Sequence, residues 1–154
     1  MPLDGGRSLC CGRTFLSNGM VDEAKVEVLR TMRTLKPYVE RGVPIIGIEP
    51  SCLLTLRDEY LVLFPGDESK RLAQNSFMLE EFLANELDNG CLELNLQALK
   101  SKRALLHGHC HQKAFAVLSP VERILNLIPD LEIETIDSSC CGMAGSFGYE
   151  KEHY

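Results

Sequence analysis

The chain has 154 residues, about one domain's worth, and 45% of them are hydrophobic, which is enough to close a core and excludes intrinsic disorder. Sixteen Lys and Arg stand against twenty-two Asp and Glu, a net charge of −6 with a pI near 5.2, so no basic face for a nucleic-acid backbone is expected. Apolar runs of about 18 residues are missing, and Met1-Pro2-Leu3-Asp4-Gly5-Gly6-Arg7 has no apolar export core; a cytoplasmic protein without a transmembrane segment is expected.

In chain order, the first marked feature is Leu9-Cys10-Cys11-Gly12, just ahead of a predicted helix. Over 21–41 the apolar residues Val21, Ala24, Val28, Met32, Leu35 and Val39 recur in steps of three and four, which predicts an amphipathic helix. Pro37 is expected to kink or end it near Lys36. Gly42 and Pro44 act as stop signals, Ile45-Ile46-Gly47-Ile48 reads as a buried strand, and Pro50-Ser51-Cys52 as the turn that closes it. A second amphipathic helix is predicted over 67–87, with Leu72, Leu79, Phe82, Leu83 and Leu87 on its apolar side.

Arg103 to His109 reads as a strand running into Cys110. Ser119-Pro120-Val121-Glu122 is a capping box with proline at the first helical position, opening a helix over 120–128. Leu131 to Ile136 alternates as a strand and delivers the chain to Ser138-Ser139-Cys140-Cys141-Gly142. The alternation predicts an α/β fold, a mostly parallel sheet flanked by helices. Cys52, Cys110 and Cys140-Cys141 then fall just after strands, at the sheet rim where α/β sites assemble.

Seven cysteines, with two adjacent pairs, are the distinctive feature of the composition. Adjacent cysteines make strained disulfides, and clustered thiols in a reducing compartment are metal ligands or redox groups rather than staples. The Cys-Cys-Gly turn occurs twice. An iron–sulfur cluster needs thiolates, and the glycine lets backbone N–H groups approach the sulfurs and offset their charge. Gly142 to Gly148, rich in small residues, suits the same approach. Cys10, Cys11, Cys52, Cys110, Cys140 and Cys141 are therefore the candidate ligands, whereas Cys91, with no partner in sequence, reads as a small buried hydrophobe. A zinc-stabilised binding or scaffold module is the alternative, although no CxxC knuckle is present. Thiol–disulfide catalysis by Cys140-Cys141 is a third reading.

In His107-Gly108-His109-Cys110-His111-Gln112-Lys113 an extended chain would set the three histidines on one face and Cys110 on the other. No carboxylate lies near in sequence to complete a histidine metal site. One or two of His107, His109 and His111 are therefore expected beside the cluster as hydrogen-bond donors or proton relays, the others packed or solvated; Lys113 is expected at the surface, with stabilisation of cluster charge as its alternative role. Neither a GxGxxG nor a Walker A motif occurs, Gly145-Ser146-Phe147-Gly148 is not an esterase elbow, and no carboxylate pair suggests hydrolysis.

At these residues the sequence resembles the cysteine-rich CCG domain of iron–sulfur oxidoreductases. That family includes a cysteine-rich component of heterodisulfide reductase, the glycolate oxidase iron–sulfur subunit and the third subunit of anaerobic glycerol-3-phosphate dehydrogenase. Similarity is greatest to the C-terminal region of FAD-linked D-2-hydroxyacid dehydrogenases of the D-lactate and D-2-hydroxyglutarate type. The phrases that carry it are Leu9 to Phe15, Glu49 to Asp58, His107 to Ala114 and Asp137 to Gly148. By this resemblance residues 1–100 are the later part of a first CCG module without its opening cysteine. Residues 101–154 are the opening part of a second, without its closing cysteine element, so the chain is expected to be a piece of a longer protein. The resemblance implies a 4Fe–4S cluster and an electron-transfer role. FAD, and the oxidation of a 2-hydroxy acid, would belong to a flavin-binding dehydrogenase domain or subunit outside these residues.

Overall fold

A Cys-Cys-Gly turn leads into α1 (Arg13–Ser17) and then the longest helix, α2 (Val21–Val39). The computed structural model describes residues 6–143, which divide into two units, 6–78 and 79–143. In the first, α2 turns the predicted face inward: Ala24, Val28, Met32, Leu35 and Val39 are buried. The chain continues through β1 (Ile45–Gly47), α3 (Pro50–Arg57), α4 (Glu59–Leu63), α5 (Asp67–Gln74) and β2 (Ser76–Met78). Leu56, Tyr60 and Leu72 complete a core with the α2 residues, and Leu9 and Cys11 pack against it.

Four expectations need correction here, the first being burial of the Ile45-Ile46-Gly47-Ile48 strand, in which Ile46 and Ile48 are exposed because β1 pairs with a single neighbour among the described residues. Pro37 does not end α2, because it falls in the last turn: Glu40 N–H still bonds to the Lys36 carbonyl at 2.9 Å. Pro50-Ser51-Cys52 is not a turn but the first turn of α3, with proline at the position where its missing N–H costs nothing. The helix predicted over 67–87 is broken after Gln74, and Ser76–Met78 pairs in parallel with β1, Ile46 opposite Phe77. Pairing across the fold satisfies the backbone of two short strands, and helical periodicity in the flanking residues hid it. Gly47 ends β1 where a Cβ would lie 2.8 Å from the Leu53 side chain, so only glycine lets α3 fold back this closely.

The second unit holds α6 (Leu79–Asp88), β3 (Arg103–Leu106), α7 (Cys110–Ala114), α8 (Ser119–Leu125) and β4 (Glu132–Thr135). β3 and β4 pair in parallel, Arg103 opposite Glu132 through Leu106 opposite Thr135. α6 packs on α8, and Arg123 forms a two-pronged ion pair with Asp88. The expected capping box of α8 is not formed: Leu118 is the N-cap, and the Glu122 carboxylate accepts from the Thr135 hydroxyl instead. The fold is α/β with parallel strands, as expected, arranged as two two-stranded sheets among the described residues. None of the described helices is long and apolar enough to cross a membrane.

Candidate metal centre

The Cys10-Cys11 segment is held by side chains from one stretch of α2. Glu27, 4% exposed, accepts from Arg30 and, at 2.8 Å, from Arg7. Arg30 also donates to the Ser8 carbonyl at 2.7 Å, and the Thr31 hydroxyl to the Cys10 carbonyl at 2.8 Å. Gly12 then bends the chain at φ 83°, a left-handed conformation natural to glycine. Its N–H donates to the Cys10 sulfur at 3.4 Å, the N–H···S contact expected of this turn.

Cys52 is the third residue of α3. Glu49, the N-cap of α3, accepts from Ser51 N–H at 3.1 Å and from Cys52 N–H, which fixes the first turn. This brings the Cys11 and Cys52 sulfurs to 3.1 Å. Cys10, Cys11, Cys52 and Glu49 line one cavity of about 510 Å³ whose other walls include Leu9, Ile45, Leu53 and Leu56. All seven cysteines are thiols rather than disulfides.

The sulfur pair shares its protons unequally. A hydrogen bond from the Cys52 thiol lowers the Cys11 pKa to about 7, against the opposing effect of burial. Cys52 is pushed far up, first by donating to Cys11 and then by burial, so it keeps its proton. Burial pushes the Glu49 carboxyl up, but the Cys52 and Ser51 N–H donors outweigh it and hold the group below its ordinary value. Behind the cavity, Tyr60 is fully buried, with its hydroxyl facing the Thr31 side chain.

In the second unit the three histidines do not share an extended face. His109 is the N-cap of α7: its Nδ1 accepts from His111 N–H at 3.2 Å, and its own N–H donates to Gln112 at 3.2 Å. That cap bends the chain into the helix between His109 and His111, which ends the alternation. Cys110 is therefore the first residue of α7, its sulfur 3.9 Å from His109 Nδ1. Lys113 donates to the carbonyls of Ser138 and Ser139. Ser138 Oγ meets His107 Nδ1 at 3.2 Å. Cys140 and Cys141 are exposed, followed by Gly142 at φ 87°. Ala144 to Gly148, the rest of the small-residue stretch, lies outside the described residues. Cys91 is exposed rather than buried, because it follows the Gly90 turn that ends α6.

The structure thus gathers Cys10, Cys11 and Cys52 in the first unit, and in the second ties the chain before Cys140 to Lys113, one turn on from Cys110. Among the described residues, no three His, Cys, Asp or Glu side chains close on a single-ion site. The cavity fits a group of some volume: its sulfurs are lining, its other walls largely apolar, and a backbone donor already serves one sulfur. Sequence reasoning missed the Glu49 cap, although an acid before proline signals it, and Thr31 and Tyr60, which carry no local signal.

Residues 1–57 match the CCG cysteine-rich domain family. The chain is 32% identical over 146 residues to the third subunit of anaerobic glycerol-3-phosphate dehydrogenase of Escherichia coli, covering 94% of this chain and 36% of that protein. It is 33% identical over 153 residues to D-2-hydroxyglutarate dehydrogenase of Haemophilus influenzae, covering 90% of this chain and 14% of that one. With lactate utilization protein A of Geobacillus kaustophilus it shares 30% over 146 residues, 90% of this chain and 57% of the relative. The chain therefore spans only part of each of these relatives. No solved structure matches it. Its first 57 residues match the cysteine-rich CCG domain, and over nine-tenths or more of its length the chain is similar to these dehydrogenase and lactate-utilization proteins.

Proposed function

We propose that the chain is an iron–sulfur electron-transfer region which binds a 4Fe–4S cluster and serves a flavin-binding dehydrogenase domain or subunit that oxidises a 2-hydroxy acid. The observation that carries this reading is the cavity ringed by Cys10, Cys11 and Cys52 with a backbone N–H already on a sulfur. The relatives named for dehydrogenases and lactate utilization support the redox role. Each unit carries its own set of candidate ligands, Cys10, Cys11 and Cys52 in the first and Cys110, Cys140 and Cys141 in the second. When bound, the cluster supplies one-electron transfer.

The chain's own residues prepare that binding. Metal takes thiolates, so Cys11, with its pKa near 7, offers one at neutral pH, while Cys52 releases its proton as the group enters. Leu9, Leu53 and Leu56 limit water around the sulfurs, and Gly12 N–H offsets charge on Cys10. Anaerobic reconstitution of the chain with iron and sulfide tests the reading. A brown protein with near-equal iron and sulfide, depleted by Cys11→Ser and Cys52→Ser, is expected. Colourless protein would overturn it, and zinc whose chelation unfolds the chain would favour the scaffold reading.

The 3.1 Å separation of Cys11 and Cys52 favours a second reading, thiol–disulfide exchange at this pair. Turnover of a small disulfide substrate by the metal-free chain, with an added monothiol re-reducing the Cys11–Cys52 disulfide after each cycle and with the activity abolished in Cys11→Ser, would replace the first reading if reconstitution also failed.

A further inference from the structure

Lys113 stands three residues after Cys110 on α7, and side chains at that spacing leave neighbouring positions of one helix face. Its ammonium donates to the carbonyl of Ser138 and, at 3.1 Å, to that of Ser139. These are the two residues immediately before Cys140. His107, three residues before Cys110, meets the Ser138 hydroxyl at 3.2 Å through Nδ1. The chain leaving β4 is thus gripped at consecutive residues by side chains from both sides of Cys110. Residues 137–143 belong to no helix or strand, so the grip acts on an irregular segment. Hydrogen bonds from a charged donor are also the stronger kind.

We propose that Lys113 and His107 are positioning residues: they form a clasp that sets the spacing between the Cys110 thiol and the Cys140-Cys141 thiols. The clasp is a property of the metal-free chain. That it prepares thiols for a cluster rests on the proposed function, and gives Lys113 a geometric task rather than direct neutralisation of cluster charge. Thiols fixed in advance lose less freedom when a metal group binds them.

Dibromobimane, which bridges thiols only a few ångströms apart, tests the clasp on the full, reduced, metal-free chain, with cross-linked peptides mapped by mass spectrometry. The wild type is expected to give a Cys110 cross-link to Cys140 or Cys141. Lys113→Met should lower that yield by about tenfold, the worth of one charge-assisted hydrogen bond, and Lys113→Arg should restore much of it. Protection of the paired β3 and β4 amides from hydrogen exchange in the same samples reports that the second unit is folded. Absence of the Cys110 cross-link in the wild type, or wild-type yield in Lys113→Met, overturns the proposal. Should Lys113→Met also lose that protection, His107→Phe and Ser138→Ala decide. A fall confined to the Cys110 product supports the clasp, and unchanged yield in both overturns it. Reconstitution of the same samples separates the two claims: failure of the wild type to take up iron, with its Cys110 cross-link intact, strikes the cluster and leaves the clasp standing.

Discussion

The sulfur of Cys11 lies 3.1 Å from that of Cys52, forty-one residues along the chain. One donates to the other, and the accepting partner, Cys11, ionises near pH 7. Cys52→Ala removes the donor and leaves burial to push the Cys11 pKa back up. Its thiolate fraction at pH 7 should then fall roughly tenfold or more. Rates of iodoacetamide labelling at Cys11 in the metal-free chain, followed across pH 6–9 by mass spectrometry, check this. The wild-type rate should be half-maximal near pH 7, with Cys52 itself unlabelled; an unchanged Cys11 profile in Cys52→Ala would refute the coupling.

Glu49 caps the helix that presents Cys52. Its folded-state pKa is held below the ordinary 4.5, so the stability it contributes is complete above that value and is lost as pH falls through the lower folded one. Glu49→Ala should cost about 1 kcal/mol in urea unfolding at pH 7, the usual worth of an N-cap. The difference from wild type should close as the pH is taken below the ordinary carboxylate range.

What the sequence made legible follows from the range of the interactions. The buried face of α2 was readable because 3.6-residue periodicity is written locally, and the Gly12 turn because glycine after two cysteines is needed where φ reaches 83°. β2 was not readable: three residues inside a helical pattern become a strand only because β1 lies beside them. The histidine alternation failed for a local reason, since His109 takes the cap position and Gln112 completes the capping box. Lys113 reaches carbonyls 25 and 26 residues away, and no local pattern encodes that.

Tyr60 is fully buried and its hydroxyl faces only the Thr31 side chain, whose own hydroxyl is committed to the Cys10 carbonyl, so the desolvation of the phenol oxygen is weakly offset. Burial also pushes its pKa up, first among causes, and the group stays protonated at neutral pH. Tyr60→Phe should therefore be neutral or stabilising by up to about 1 kcal/mol. Tyr60→Ala should cost about 3–5 kcal/mol through the cavity it opens among Val28, Leu56 and Leu72. Urea unfolding of both variants checks the contrast, and a Phe variant losing as much as about 2 kcal/mol would mean that the Thr31 contact offsets that desolvation in full.

Glu27 separates a buried ion pair from an exposed one on the same carboxylate. Its side chain is 5% exposed and that of Arg30 is 13% exposed, whereas the Arg7 side chain is 67% exposed. Removing Arg7 breaks a solvated contact, so Arg7→Ala should cost under about 1 kcal/mol. Removing Glu27 strands the Arg30 guanidinium in a largely dry setting, with only backbone carbonyls of Arg7 and Ser8 left to it. Glu27→Ala should therefore cost about 3–5 kcal/mol, several times the Arg7 effect. Because Arg30 and the adjacent Thr31 hold the segment that ends in Cys10, the loss should reach the thiols as well. Labelling of Cys10 by a bulky maleimide should quicken in Glu27→Ala under conditions where most of the chain remains folded, while Arg7→Ala labels at the wild-type rate. Equal labelling in the two variants would show that the carboxylate stabilises α2 without steering the cysteine turn.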